Sequence, residues 1–362
     1  MSDGSSESGS STWSDVKRVL AIRLDSMGDV LMTSPALRAI REAPGVELLA
    51  LLTSPAGAAA AALIAEVDNV MIYAAPWMKA SGTPALAQDE AIIAQLRSER
   101  FDAAVIFTVF SQTPFPAAML CRLAGIPRVL MHARERAYAL ASDEVRETEP
   151  ENGIRHEVRR HLDLVSRRGW APAHDQLSVT VPETAHRRIA EFKLPKGRWA
   201  VVHPGASAPS RRWPPDHFVE ALRQLAALGW SFVLTGDAQE RALCEAIVAA
   251  AAIEGRVFTG VLDLGELAAL IAAAPLLITN NTGPAHLAAA VGTPVVVLYA
   301  LTNPQHTPWA VATRVLSHDV ECRWCFASVC RTDHHPCLRG VTPDAVVAAA
   351  LELTASNRAV AA

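Results

Sequence analysis

The feature that most constrains the fold of this chain is a regular alternation of short apolar runs with longer amphipathic stretches. In the first half, residues 16–24 and 101–107 have the β-branched and leucine-rich content of strands, whereas residues 34–43 have the i, i+3, i+4 apolar spacing of a helix. Nearly continuous apolar strands are typical of strands buried on both faces. Such strands, separated by helices, predict βαβ units and therefore a parallel sheet.

The alternation occurs twice, with a less regular segment at 112–180 that includes a charged helix at 155–169. The other elements predicted in the first half are strands at 46–53 and 70–74 and helices ending at Ile64 and spanning 89–99. In the second half the pattern predicts strands at 199–205, 231–237, 256–261, 275–280 and 294–300, and helices at 215–228, from 239, at 264–274 and at 283–292. We therefore predict two doubly wound α/β domains.

The length of 362 residues agrees with two cores of about 150 to 170 residues each. Proline and polar residues concentrate near 172–195, which is typical of a domain boundary. We expect a disordered tail at 1–14, a first domain at 15–180 and a second domain at 181–362.

Composition and charge narrow the class of protein. Hydrophobic residues make up 51% of the chain and aromatic residues 6%, which favours alternating strands and helices over an aromatic-rich β-sandwich. The net charge of −4 argues against a protein that coats nucleic acid, so we expect no nucleic-acid partner. No signal-peptide pattern is present, and no uninterrupted apolar run has the roughly 18 residues of a membrane span. A cytoplasmic location is expected.

Polar loops follow four of the predicted strands. They are DSMGD (25–29), HPGASAPSRRW (203–213), TGDAQE (235–240) and NNTGPAH (280–286). The carboxyl ends of the strands of two facing α/β domains meet at one crevice, so we expect these loops to line it.

The loop NNTGPAH has the residues of an anion site at a helix N-terminus. Thr282 can cap the helix, Gly283 permits close approach of a ligand, Pro284 fits the first turn, and His286 lies one turn further on. An ordinary capped helix with a partly buried histidine explains the same residues.

The loop at 203–213 adds two arginines. Arg211 or Arg212 can pair with a diphosphate, although a solvated basic loop is an equal alternative. The chain has no GK[ST] sequence and no GxGxxG after its first strand, which disfavours ATPase and dinucleotide-oxidoreductase functions.

In the first loop the residues of interest are Gly28, Asp29 and the nearby Thr33. A carboxylate at a helix start is ordinarily a cap with a lowered pKa. The functional alternative is a general base, in which an ionised Asp29 takes a proton from an attacking hydroxyl.

Taken together, segments 23–37, 203–214, 234–240 and 280–296 resemble glycosyltransferase family 9, the bacterial heptosyltransferases of lipopolysaccharide core assembly. Their order and spacing agree over about 15–350, nearly the whole chain. Each motif alone is a weak indication of the family, but the four motifs in the same order and spacing are specific for it.

The resemblance implies a GT-B fold of two Rossmann-like domains, an inverting reaction and no catalytic metal. The first domain would hold a lipid-linked or oligosaccharide acceptor at the inner face of the membrane, through peripheral contact, with Asp29 as the base and Gly28 and Thr33 nearby. The second would hold a nucleotide-sugar donor, ADP-heptose in the best-known members. The donor-binding positions implied are Arg211, Arg212, Gly236, Glu240, Asn281, Thr282, Gly283 and His286.

The chain departs from the family at Asn281, where many members have an aspartate. The missing carboxylate puts the identity of the donor in question. Two rival functions stay open: a GT-B sugar-nucleotide epimerase, which would not need a base at Asp29, and a non-catalytic nucleotide-sugar-binding protein.

Four cysteines, Cys322, Cys325, Cys330 and Cys337, form a C-x2-C-x4-C-x6-C array that also contains His334 and His335. Four thiolates at this spacing can hold a structural zinc ion or an iron–sulfur cluster. Reduced thiols that pack or pair loosely, and a redox function, are the alternatives, and we assign the cysteines no catalytic role.

Two other segments are ambiguous. The helix predicted at 155–169 contains His156, Arg159, Arg160 and His161, and it is either a solvated face or an electropositive lip for a phosphorylated or Kdo-bearing acceptor. His306 and Thr307 follow a strand and form either a wall of the donor pocket or a plain turn.

Overall fold

The computed structural model describes residues 13–78, 85–332 and 335–361, and in this part of the chain two six-stranded parallel sheets are flanked by helices. The strands of the first sheet are β1 (Arg18–Arg23), β2 (Leu48–Thr53), β3 (Asn69–Ile72), β4 (Ala103–Ile106), β5 (Arg128–Ala133) and β6 (Asp143–Arg146). Its helices are α1 (Met27–Arg41), α2 (Ala58–Ala61), α3 (Leu86–Glu99), α4 (Phe115–Ala124) and α5 (Glu157–Ser166). The strand order β3-β2-β1-β4-β5-β6 is that of a doubly wound fold.

The second sheet repeats this plan. Its strands are β7 (Trp199–His203), β8 (Ser231–Gly236), β9 (Gly255–Thr259), β10 (Leu277–Asn280), β11 (Val295–Leu298) and β12 (Thr313–Leu316), in the order β12-β11-β10-β7-β8-β9. The accompanying helices are α6 (Glu183–Ala190), α7 (Pro215–Ala227), α8 (Arg241–Ala251), α9 (Leu264–Ala273), α10 (Gly283–Val291), α11 (Pro336–Arg339) and α12 (Pro343–Ala361). The prediction of two doubly wound α/β units is confirmed.

The strands and helices predicted from the alternation are present within a few residues, but two expectations are wrong. The segment 112–180 is more regular than predicted, because it contains α4, β5 and β6. The edge strand β6 has the polar sequence DEVR with alternate residues exposed, so it lacks the apolar signal of a buried strand. Helix α1 begins at Met27 and not at residue 34, because the Asp29 carboxylate caps its first turn.

One buried apolar cluster joins the two sheets through the helices between them. It includes Val19 of β1, Leu31 of α1, Leu287 of α10 and Val201 of β7. This packing brings the N-terminal ends of α1 and α10 together, so the loops after β1 and β10 face each other. Within the described residues, none of the helices combines the length and apolar content that crossing a bilayer requires.

Candidate functional site

Three adjoining cavities follow the carboxyl ends of the strands. The N-terminal cavity, about 750 Å³ in volume, is lined by the first half of the chain. The junction cavity, about 220 Å³, is lined by both halves, and the C-terminal cavity, about 320 Å³, by the second half together with Met27. Asp29 belongs to the walls of the N-terminal and junction cavities, and Gly283 to those of the junction and C-terminal cavities. The predicted crevice is therefore present, and Asp29 lies at the boundary between its N-terminal and junction cavities.

Asp29 lies in the first turn of α1, where its carboxylate both caps the helix and lines the cavities. Oδ2 accepts hydrogen bonds from the backbone N–H of Ser26 at 3.1 Å and from the Ser26 hydroxyl at 2.6 Å. Oδ1 lies 3.2 Å from Nη2 of Arg23, and the side chain remains 16% exposed. Asp29 therefore caps α1 and also faces the cavities, and its role as a general base stays a prediction.

Arg23, at the end of β1, is fully buried and contacts three carboxylates. Its guanidinium nitrogens lie 3.1 Å from Asp25 and 3.2 Å from Asp29. Nη1 lies 3.1 Å from Glu157, a fully buried residue of α5, which also contacts His161 at 3.0 Å. A buried charge requires such partners, so this cluster fixes the Asp29 carboxylate relative to the sheet.

The two aspartates of the first loop differ in pKa. Burial acts to raise the pKa of Asp29, but the charges of Arg23 and His306 outweigh it, and the pKa lies below its ordinary value. Burial raises the pKa of Asp25 despite the nearby charge of Arg23. Asp29 is therefore ionised at neutral pH and able to accept a proton, whereas Asp25 ionises at a higher pH than an ordinary aspartate.

His306 approaches this cluster from the second half of the chain. Its Nε2 lies 3.9 Å from Asp29 Oδ1 and 4.0 Å from Glu157 Oε2, without a hydrogen-bond partner among the described residues. Its Nδ1 lies 2.7 Å from Nδ2 of Asn303, whose Oδ1 accepts the Thr302 hydroxyl. Burial lowers the pKa of His306, although the charges of Asp29 and Glu157 act to raise it. In its neutral form the ring accepts the Asn303 amide at Nδ1 and carries its proton on Nε2.

Arg211 supplies a positive charge to the junction cavity. Its Nη2 lies 3.4 Å from Asn303 Oδ1, and no carboxylate of the described chain lies within ion-pair distance of it. Arg212 is exposed, donates its Nε–H to the carbonyl of Ala206 at 2.7 Å, and lines neither the junction nor the C-terminal cavity. Of the two arginines, the structure brings Arg211 into the cleft.

The N-terminus of α10 borders the junction cavity. Asn281 Oδ1 accepts the backbone N–H of Ala300 at 3.3 Å, which leaves Nδ2 as a buried donor without a partner among the described residues. Thr282 precedes the helix in an extended conformation. A Cβ on Gly283 would lie 1.8 Å from Cε of Met27, so the glycine permits a close approach of α1. An anion in this cavity would meet the helix N-terminus.

Gly28 and His286 form a second close contact between α1 and α10. A Cβ on Gly28 would lie 2.8 Å from Cδ2 of His286. Burial lowers the pKa of His286 to about 3, so its ring is neutral. Its Nδ1 has no partner within the described chain, and the residue lines the junction cavity as a hydrogen-bonding group and not as a cation.

Gly236 and Glu240 line the C-terminal cavity, as does Asp237 between them. Glu240 Oε2 accepts the backbone N–H of Asp237 at 2.9 Å, and burial raises the pKa of the Glu240 carboxyl. A Cβ on Gly205 would lie 1.7 Å from Glu240 Oε1, and one on Gly236 would lie 2.8 Å from Oε2. The two glycines therefore make the space that this carboxylate occupies.

Thr33 is placed away from the cleft. It is fully buried on α1, its hydroxyl donates to the backbone carbonyl of Asp29 at 2.8 Å, and it lines none of the three cavities. Thr33 therefore makes a hydrogen bond within its own helix and does not face the crevice.

Helix α5 is only partly the solvated face that the sequence suggested, because Arg159 is exposed but three of its other charged residues are not. Glu157, Arg160 and His161 are buried, and Arg160 pairs with Glu147 and Glu149. The signal was present in the spacing, since these three residues lie at i, i+3 and i+4 on one helix face. The solvated face had been inferred from the number of charged residues and not from their spacing.

The four clustered cysteines are reduced, with Cys322 exposed and Cys325, Cys330 and Cys337 half-buried. Among the described residues, no group of three or more His, Cys, Asp or Glu side chains is arranged to hold a metal ion. His334 lies outside the described residues. The structural-metal hypothesis stays a prediction.

Two parallel α/β sheets facing each other across this cleft define the protein as one of the GT-B fold class. The model of glycosyltransferase family 9 (heptosyltransferase) matches residues 90–335, and the chain belongs to that family. The resemblance inferred from the four motifs is confirmed.

Similar sequences carry heptosyltransferase names. Lipopolysaccharide heptosyltransferase 2 of Escherichia coli is 31% identical over 59% of this chain and 64% of its own length. Lipooligosaccharide heptosyltransferase 2 of Haemophilus influenzae is 37% identical over 42% of this chain and 48% of its own length. The chain thus spans less than two thirds of these first curated relatives. Lipopolysaccharide heptosyltransferase 1 of Pseudomonas aeruginosa is 27% identical over 86% of this chain and 87% of its own.

Solved structures share the fold over nearly the whole chain. A glycosyl transferase family 9 protein of Veillonella parvula superimposes with a TM-score of 0.79 at 19% identity, covering 94% of this chain and 98% of that one. ADP-heptose lps heptosyltransferase II of Escherichia coli superimposes with a TM-score of 0.73 at 23% identity, covering 94% and 99%.

Proposed function

We propose that this protein is an inverting glycosyltransferase that transfers a sugar, heptose from ADP-heptose, to a hydroxyl of a lipopolysaccharide-core or related glycan. The observation that carries the proposal is the place of Asp29, an ionised carboxylate at the boundary between the N-terminal and junction cavities. Acceptor and donor would meet at this boundary. A cytoplasmic site with peripheral contact at the inner membrane fits a lipid-linked acceptor.

The C-terminal cavity suits the nucleoside, because it combines apolar walls such as Phe258 and Leu262 with the Glu240 carboxylate. The diphosphate would then occupy the junction cavity, beside Arg211 and the N-terminus of α10. The relatives named as heptosyltransferases support the choice of sugar.

In the proposed reaction the acceptor oxygen attacks the anomeric carbon from the side opposite the diphosphate. A bond forms between that oxygen and the carbon, the bond from the carbon to the diphosphate oxygen breaks, and the acceptor proton passes to Asp29. Negative charge grows on the departing diphosphate, where Arg211 and the N-terminus of α10 would stabilise it without a catalytic metal. A single displacement inverts the anomeric centre.

The test is diphosphate release by the purified full chain, with ADP-heptose and other nucleotide sugars, in the presence and absence of deacylated lipopolysaccharide core. Acceptor-dependent release is expected. Asp29→Asn keeps an oxygen to cap α1 but cannot accept the proton, so kcat should fall at least about 100-fold. Isomerisation of the donor in the absence of acceptor would establish an epimerase. Tight binding of the donor without turnover would establish a binding protein. Either result contradicts the proposal.

The neighbouring arginines supply a matched pair of variants. Arg211→Gln should lower kcat about 100-fold, because the leaving diphosphate loses a preorganised cation. Arg212→Gln removes the same charge from an exposed side chain outside both donor cavities and should change kcat less than about threefold. Equal effects of the two substitutions would contradict the assignment of Arg211.

A further inference from the structure

The segment 322–330 contains three of the four clustered cysteines and has no role in the proposed reaction. Its backbone runs beside the residues that follow β11. The N–H of Trp324 donates to the carbonyl of Leu301 at 2.7 Å, and the N–H of Phe326 donates to the carbonyl of Thr302 at 2.8 Å. Trp324 and Phe326 both have a left-handed backbone, with φ of 61° and 51°. Residues other than glycine keep this conformation only where the surrounding structure fixes it, so the segment is held in a defined shape.

The same segment contacts the short helical turn at 209–211, which carries Arg211. Ser210, the residue before Arg211, is buried. Its hydroxyl donates to the carbonyl of Ala327 at 2.7 Å, and its backbone N–H donates to the carbonyl of Ser328 at 3.1 Å. Ser210 lines none of the three cavities, so it can affect a ligand there only through its neighbour.

Segment 322–330 is also linked to the residue that contacts the guanidinium of Arg211. Thr302, whose carbonyl accepts the N–H of Phe326, donates its hydroxyl to Asn303 Oδ1 at 2.8 Å. The same Oδ1 lies 3.4 Å from Nη2 of Arg211. Hydrogen bonds therefore connect the segment to Arg211 along two routes, one at its backbone and one at its side chain.

The ring of Phe326 extends to the first half of the chain. Its centroid lies 5.8 Å from that of Phe110, in an edge arrangement that stabilises aromatic pairs. Phe110 is buried, whereas Phe326 is 49% exposed. The segment is thus fixed against both halves of the protein, next to the turn that directs Arg211 into the junction cavity.

An arginine side chain has many rotamers, and ordering it when an anion binds costs free energy. A guanidinium that is held in place before the ligand arrives avoids part of this cost. We propose that segment 322–330 is a positioning element for Arg211, and that Ser210 is the positioning residue that joins the two. The inference rests on the proposed function for its ligand, the diphosphate of a nucleotide in the junction cavity.

The test is calorimetric titration of the full chain with ADP, which requires no turnover. Ser210→Ala removes the bond from the hydroxyl and keeps the one from the backbone. ADP should bind about threefold more weakly, the lower end of the effect of one lost hydrogen bond. In an Arg211→Gln protein the same substitution should leave the affinity unchanged, because Ser210 acts through Arg211. Equal losses in the two backgrounds, or wild-type affinity in Ser210→Ala, would overturn the proposal.

Thr293→Val is the matched control. Thr293 is buried in the second half, its hydroxyl donates to the carbonyl of Ile271 at 2.7 Å, and it lines none of the three cavities. Its substitution should leave the affinity for ADP unchanged, and a threefold loss here would show that any buried hydroxyl has this effect and would overturn the proposal.

Phe326→Ala tests the same segment at an exposed side chain, whose replacement disturbs folding little. It should weaken ADP binding in the wild-type background and have no effect in Arg211→Gln. This variant decides the matter if Ser210→Ala does not fold, and unchanged affinity would then overturn the proposal. Absence of ADP binding by the wild type would contradict this inference and the proposed function together. The expected dependence on Arg211 without any sugar transfer would contradict only the proposed function.

Discussion

Replacement of Glu157 by glutamine tests whether the buried charge cluster holds the site together. Glu157 and Arg23 are both fully buried, with 3.1 Å between Oε1 and Nη1, and Glu157 also contacts His161 at 3.0 Å. Glu157→Gln keeps the size of the side chain and removes its charge. The guanidinium then retains Asp25 and Asp29 as partners.

We expect this substitution to lower the free energy of unfolding at pH 7 by roughly 3 kcal/mol, the lower end of the cost of breaking a buried ion pair, because two carboxylates remain. Burial acts to raise the pKa of Glu157, but the hydrogen bond with His161 and the charge of Arg23 hold it well below its ordinary value of 4.5. A pKa depressed by folding stabilises the protein fully above the ordinary value, and this stabilisation is lost as the pH falls through the folded value.

The measurement is urea unfolding of wild type and variant at a series of pH values. The difference in free energy of unfolding should be constant near neutrality and should shrink as the pH falls below 4.5. Glu47→Gln is the control, since Glu47 pairs with Lys17 at the surface and its loss should leave the stability nearly unchanged. Equal stability of Glu157→Gln and wild type at pH 7, or a difference that grows in acid, would refute the reasoning.

Two further predictions concern the contact between the halves. Gly28→Ala places a Cβ 2.8 Å from His286, so helices α1 and α10 must separate slightly. We expect kcat/KM to fall about tenfold with little change in the unfolding midpoint. Unaltered kinetics would contradict the role of this contact. His306→Asn removes a group that lowers the pKa of Asp29, so the acid limb of the pH profile of kcat/KM should move to higher pH. A limb that stays in place would show that His306 does not influence the ionisation of Asp29.

The sheets and the position of the cleft could be predicted because both are encoded locally. A buried strand such as β1 or β10 needs a continuous apolar run, and the polar residues that end the run necessarily lie at the carboxyl edge of the sheet. Asp29, Gly283 and Glu240 all follow such strands, so their meeting required only the general rule for parallel sheets.

The partners of Asp29 could not be predicted in the same way. Arg23 and Glu157 are 134 positions apart in sequence and meet only because α5 returns to pack on α1. Nothing local to Arg23 distinguishes a buried guanidinium from one that reaches solvent. The choice between Arg211 and Arg212 depended likewise on which side chain the short helical turn at 209–211 directs into the cleft.

The hydrogen bonds of Asp29 also identify which of its oxygens is available for chemistry. A carboxylate has about four lone-pair positions, two on each oxygen. Both positions on Oδ2 are used by the amide and the hydroxyl of Ser26, and Arg23 uses one on Oδ1. The remaining position is on Oδ1, the oxygen that His306 Nε2 approaches at 3.9 Å from across the junction. In the proposed reaction, capping and proton transfer would therefore use different oxygens of one side chain, and the cap keeps Oδ1 directed at the place where the two halves of the protein meet.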